Sequence, residues 1–66
     1  MKTQKGKILW YSINHYFIMC DDPKYSKLHQ FRNKILAIAD TDDRNELIKY
    51  FESEAKQPIN YFTSPY

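Results

Sequence analysis

Glycine is nearly missing from this chain: Gly6 is the only one in 66 residues. A glycine-rich phosphate loop is therefore excluded. So small a chain without glycine loops also has little means of walling a concave catalytic pocket. Cysteine is equally scarce. Cys20 has no partner to staple the fold, which suits a reducing compartment and sets the expectation of a cytoplasmic protein. Long apolar runs are absent, with no stretch of about 18 apolar residues to span a membrane. The opening MKTQKGK is basic, but Ser12, Asn14 and His15 break the apolar run behind it, so no secretory signal is expected. There is no internal repeat and no low-complexity tract. A strong charge of one sign is also missing. Ten bases against eight acids leave a net charge of +2, far from the basic excess typical of duplex binders.

Aromatic side chains are what the chain has in plenty: six Tyr, four Phe and Trp10. They supply large contact areas per residue, which matters in a single domain over residues 1–66 that buries only about 60% of its unfolded surface. With three prolines and 42% hydrophobic residues the composition is that of a packed globule. Charge is uneven along the chain. Lys2, Lys5 and Lys7, then Lys24, Lys27, Arg32 and Lys34, stand in segments without acids, while the acids gather at Asp21–Asp22 and from Asp40 to Glu54. Helix-end chemistry and solubility account for such blocks; a basic face opposite an acidic one is the sharper reading.

The stretch GKILWYSINHYFIMCDD holds Ile8, Trp10, Tyr11, Ile13, Tyr16, Phe17 and Ile18, all strand formers, interrupted by Ser12-Ile13-Asn14-His15. This pattern predicts a hairpin, Lys7–Tyr11 and Tyr16–Cys20, closed by a loop around Asn14. A helix competes, because Leu9, Ile13, Tyr16 and Cys20 also fall on one helical stripe. Asp22-Pro23 reads as a helix start, Asp as N-cap and Pro at the first position. Leu28, Phe31, Ile35, Leu36 and Ala39 then make the apolar stripe of a helix over 23–39. A second helix over 42–56 is capped by Thr41 or Asp42, carries Leu47, Ile48, Phe51 and Ala55 on its inner face, and stops before Pro58. The short connection between them implies an antiparallel pair. The tail INYFTSPY is aromatic and expected to dock through Tyr61 and Phe62. The expected fold is thus α+β: an N-terminal β-hairpin packed on two antiparallel helices.

Chemistry is sparse. A Cys–His nucleophile from Cys20 with His15 or His29 would need contact and an orienting third group, which no spacing demands. His15, Cys20, Asp21 and Asp22 lack the paired ligand spacing of a zinc site. DTDDRNELIKYF has Asp at the first and third positions of a calcium loop but neither the Gly at six nor the Glu at twelve, and so reads as a helix cap. The expectation is a protein that is not an enzyme and carries no cofactor or metal.

The opening stretch resembles the start of a cold-shock protein, whose family begins Gly-x-Val/Ile-x-Trp-Phe-Asn, continues Lys-Gly-Phe-Gly-Phe-Ile and reaches an Asp pair. Gly6, Ile8, Trp10, Tyr11 and Ser12 match the first part; Phe17-Ile18 and Asp21-Asp22 match the later part. KLHQF is faintly similar to a further family strand through His29 and Phe31, and ESEAKQPINYFTS to its closing strand. The resemblance implies a small all-β OB-type barrel with Trp10, Tyr11, Phe17, His29 and Phe31 as a base-stacking platform. The chain departs from the family where Asn14-His15-Tyr16 replaces the Lys-Gly-x-Gly core, and across the two helical stripes of residues 24–56.

Two functional expectations follow. One is a small regulatory or inhibitor protein that occludes a larger protein or protein assembly through aromatic anchors. The other is single-stranded RNA or DNA binding by base stacking. The candidate binding residues for both are Trp10, Tyr11, Tyr16, Phe17, His29, Phe31, Tyr61 and Tyr66, supported by Lys5, Lys7, Lys24, Lys27 and Arg32. A homodimer is compatible with the same surface; a membrane partner is not expected.

Overall fold

The computed structural model describes residues 1–64. Among them lie three α-helices, α1 (Gln4–Met19), α2 (Tyr25–Leu36) and α3 (Thr41–Ala55), followed by a 3-10 turn, Ile59–Phe62. No strand is present among the described residues. The α+β expectation and the five-stranded barrel implied by the cold-shock resemblance are both overturned: the chain is all-helical.

The N-terminal hairpin is the principal correction. Its two intended strands and loop form one continuous helix, α1. Thr3 starts it, its hydroxyl accepting the Gly6 N–H at 3.0 Å as an N-cap residue does. Leu9 and Ile13 are buried along its inner face. The polar residues read as a loop have helical employment instead. Ser12 Oγ donates back to the Ile8 carbonyl at 3.0 Å, and Asn14 Nδ2 donates to the Tyr50 hydroxyl at 2.8 Å.

The other two helices stand close to where periodicity puts them, with different caps. α2 starts at Tyr25 rather than Pro23, and Lys24 at its N-cap makes no side-chain cap. The Lys24 N–H is satisfied instead by the Tyr16 hydroxyl at 2.9 Å, across from α1. The helix ends at Leu36, and Ile38, just beyond it, is buried. α3 is capped by Asp40, not by Thr41 or Asp42: Asp40 Oδ1 accepts the Asp43 N–H at 2.9 Å. It closes at Lys56, which sits in the left-handed region at φ 59°. Among the described residues of the tail, Phe62 is buried in the core, edge-on to Phe51 at 5.3 Å, and Ile59 packs partly against it; Tyr61 is exposed and offers its carbonyl to Tyr25 Oη.

The core is built from all of these elements: Leu9 and Ile13 of α1, Leu28, Phe31 and Ile35 of α2, Leu47 and Phe51 of α3, with Ile38 and Phe62. One polar side chain joins it. Asp43, only 1% exposed, accepts the Lys2 N–H at 2.8 Å, the Thr3 N–H at 2.8 Å and the Thr3 hydroxyl at 2.6 Å. Two of these donors are the free amides ahead of α1, so Asp43 of α3 clasps the start of α1 and sets how α1 lies on the bundle. The single glycine stands at this clasp. A Cβ on Gly6 would lie 2.6 Å from Asp43 Oδ2.

Candidate binding face

The residues proposed from sequence for binding are spread over three places. Trp10 is half-buried on the α3 side of α1, its ring 5.1 Å from Tyr50 and edge-on to Tyr11 at 5.3 Å. Tyr16, Phe31 and Lys27 meet between α1 and α2. Phe31 is buried, Tyr16 contacts it edge-on at 5.5 Å, and Lys27 Nζ lies 5.2 Å over the Phe31 ring. Burial pushes the Tyr16 phenol above its ordinary range, opposed by its hydrogen bond from the Lys24 N–H. His29 and Tyr61 belong to the tail side. His29 Nδ1 bonds the Phe62 carbonyl at 2.7 Å and its Nε2 lies 3.2 Å from Asn33 Nδ2, so the ring ties α2 to the 3-10 turn. Phe17 is half-buried and packs against the core, its ring 6.3 Å from Phe51. Tyr66 lies outside the described residues. The structure therefore does not assemble these rings into one stacking surface, and Phe31 and Phe17 serve the interior.

Of the supporting bases, Lys5 and Lys7 are exposed on α1 and Lys24 precedes α2, 3.7 Å from Asp22. Arg32 is half-buried, its guanidinium donating to Asn33 Oδ1 at 3.0 Å.

What does assemble is a set of side chains of which only Tyr11 was expected from sequence to bind. Ile8, Tyr11, Ile18 and Met19 are 57%, 66%, 69% and 71% exposed. At 3.6 residues per turn they fall within an arc of roughly 100° on α1, with His15 inside it. That width is what a helix normally buries against a neighbour, yet here it lies on the far side from Leu9 and Ile13. α1 thus carries two apolar stripes, one in the core and one in solvent. Lysines flank the outer stripe: Lys7 on the α3 side, where it lines a hollow with Trp10, Tyr11 and Glu46, and Lys5, Lys27 and Lys34 on the α2 side. The signal was present in the sequence as the leftover of the Leu9–Ile13–Tyr16–Cys20 stripe. Once those residues face inward, Ile8, Tyr11, Ile18 and Met19 must face out together.

The charge blocks of the sequence become faces. Neither α1 nor α2 contains an acid, whereas α3 carries Asp42, Asp43, Glu46, Glu52 and Glu54 against Arg44 and Lys49. Among the described residues no helix is long and apolar enough to cross a membrane, and no group of three or more His, Cys, Asp or Glu side chains is placed to hold a metal ion. Compared with protein-family models, curated proteins and solved structures, the chain matches none.

Proposed function

We propose that this chain is a small non-enzymatic binding protein that docks on a larger protein through the outer face of α1 and acts by occluding what it covers. The observation that carries this reading is the second apolar stripe. Isolated exposed apolar residues are ordinary on any surface. Four on one helical arc, with large side chains and lysines at their borders, resemble the apolar centre and polar rim of a protein interface. The stripe lies on a helix clamped by Asp43, so it is presented without a backbone ordering cost on binding.

Stacking on single-stranded nucleic acid is less well supported. It needs several open aromatic faces along a basic track, and on this face Tyr11 alone is an exposed aromatic.

A photo-reactive side chain at position 11 tests the reading in the native host. The expected result is an adduct with a protein that survives nuclease treatment. The adduct should vanish when Ile8 and Ile18 are both changed to Asp and persist in Glu54→Lys on α3. An adduct abolished by nuclease, or one indifferent to the double aspartate variant, overturns the proposal.

A further inference from the structure

Beside the outer stripe runs a groove. One hollow, of about 280 Å³, is lined by Lys5, Ile8, Leu9, Ser12, Lys34 and Ile38. Another, of about 440 Å³, continues from it along α1 past Ser12, His15 and Met19 to Cys20, facing Lys27, Phe31 and Lys34 of α2. The two share Ser12 and Lys34, so they adjoin as a shallow furrow along α1 and α2. Its run from Lys5 to Cys20 is about 22 Å at 1.5 Å per residue, the length of a four-turn helix.

We infer that this groove seats an acidic amphipathic helix of the partner protein, an inference that rests on the reading of α1's outer face as the docking surface. Shape and polarity agree with such an occupant. Its aliphatic side chains are Ile8 and Met19 on α1 and the largely buried Ile38 beyond α2, set among the polar Ser12, His15 and Tyr16. Midway stands a small residue, Ser12, whose hydroxyl is already bonded to the Ile8 carbonyl. A helix can approach closely there without stranding a polar group. Charge selects the flanks. Lys5, Lys27 and Lys34 line the furrow, no acid lines it, and none of the three is in an ion pair among the described residues. An apolar stripe bordered by Asp or Glu complements this arrangement, as in other helix-in-groove complexes.

Other occupants fit less well. A second copy of this chain, laid α1 against α1, would bring the lysines of both copies together. An oligonucleotide would find one open ring in the furrow, His15, where stacking along a strand needs several, since Phe31 is buried and Tyr16 is edge-on to it. A flat anionic bilayer would meet Tyr11 and Ile18 on the crest of α1 before it reached the groove.

Titration of the isotopically labelled protein with three 15-residue peptides tests the inference. All share a leucine stripe at helical spacing; one is flanked by Glu, one by Lys, and one is the Glu peptide with a central proline. The Glu peptide should move the amide signals of Ser12, His15, Met19, Lys27 and Lys34, and the proline peptide should not. Changing both Lys27 and Lys34 to Glu should weaken the Glu peptide about tenfold or more and let the Lys peptide bind. No shift with the Glu peptide, equal binding of both charge types to the wild type, or tighter binding of a 15-nucleotide oligo(dT) or of phosphatidylglycerol vesicles overturns the inference. If the peptides fail while the position-11 adduct still depends on Ile8 and Ile18, the docking face stands and the acidic helix falls. If the adduct loses that dependence as well, both fall.

Discussion

Asp43 does for the start of α1 what its capping threonine does not do alone. Thr3 satisfies one amide, at Gly6, while Asp43 takes those of Lys2 and Thr3 and the Thr3 hydroxyl besides. The Thr3 hydroxyl, then the Lys2 N–H, hold the Asp43 carboxyl at about 2, against the pull of burial. Its value in the unfolded chain is about 4, so the unfolded state binds the proton more readily. Asp43 therefore stabilises the fold fully above about pH 4, and that contribution is lost as pH falls towards about 2. Asp43→Asn should melt below the wild type at neutral pH, and the two melting curves should converge across that acid window. Gly6→Ala is a sharper case. Alanine is worth up to about 1 kcal/mol over glycine in a helix interior. Its methyl would nevertheless displace a carboxylate held by three donors. Net destabilisation of about 1–2 kcal/mol is expected in urea titration; a stabilised variant would show that the clasp gives way cheaply.

At the scale of the element, α1 is a helix whose two faces serve two ends. Leu9 and Ile13 hold it to the bundle, while Ile8 and Ile18 hold nothing within the described residues that folding requires. Changing Ile8 and Ile18 to Asp should leave the helical dichroism intact and alter stability by no more than about 0.5 kcal/mol per site. A collapse of the fold would assign the stripe to structure instead of docking. α3 has the opposite weakness, at its end. Lys56 closes it in a left-handed conformation that suits glycine. Lys56→Gly should raise stability by about 0.5–1 kcal/mol, read from the thermal midpoint. The same two-sided character of α1 explains its reading as a hairpin. A helix apolar on one face shows a 3.6-residue period; one apolar on two faces shows a nearly unbroken apolar run, which strand formers such as Ile, Tyr and Trp make look extended.

For the molecule as a whole, Phe51 is the point where elements converge. It is 0% exposed, lies 6.3 Å from Phe17 of α1 and meets Phe62 of the tail at 5.3 Å. Phe51→Ala is expected to cost about 3–5 kcal/mol. In a domain of this size that consumes most of the stability, so calorimetry should find no cooperative transition near that of the wild type. The bundle also turns charge order along the chain into charge order in space. α1 and α2 form a cationic pair, and α3 carries the acids away from the groove.

Local sequence determined α2 and α3, including their inner faces at Leu28, Phe31, Ile35, Leu47 and Phe51, because each carries an apolar stripe with the helical period; Leu36 and Ala39, read onto the α2 stripe, are instead exposed, Ala39 beyond the helix end. It also determined the stop before Pro58 and the separation of basic from acidic segments. Caps were decided by tertiary contacts. The amide ahead of α2 is met by Tyr16 of α1 instead of by Asp22, a partner eight residues away that no local rule names. The state of residues 6–20 was decided in the same way. The segment has material for a strand or a helix, and the choice falls to the helix because Leu9 and Ile13 can then be buried against two other helices while Asp43, 40 residues beyond Thr3, satisfies the amides at its start. Which aromatics of this segment remain outside followed from that choice: packing turned Phe17 toward Phe51 and left Tyr11, beside Ile8 and Ile18, in water.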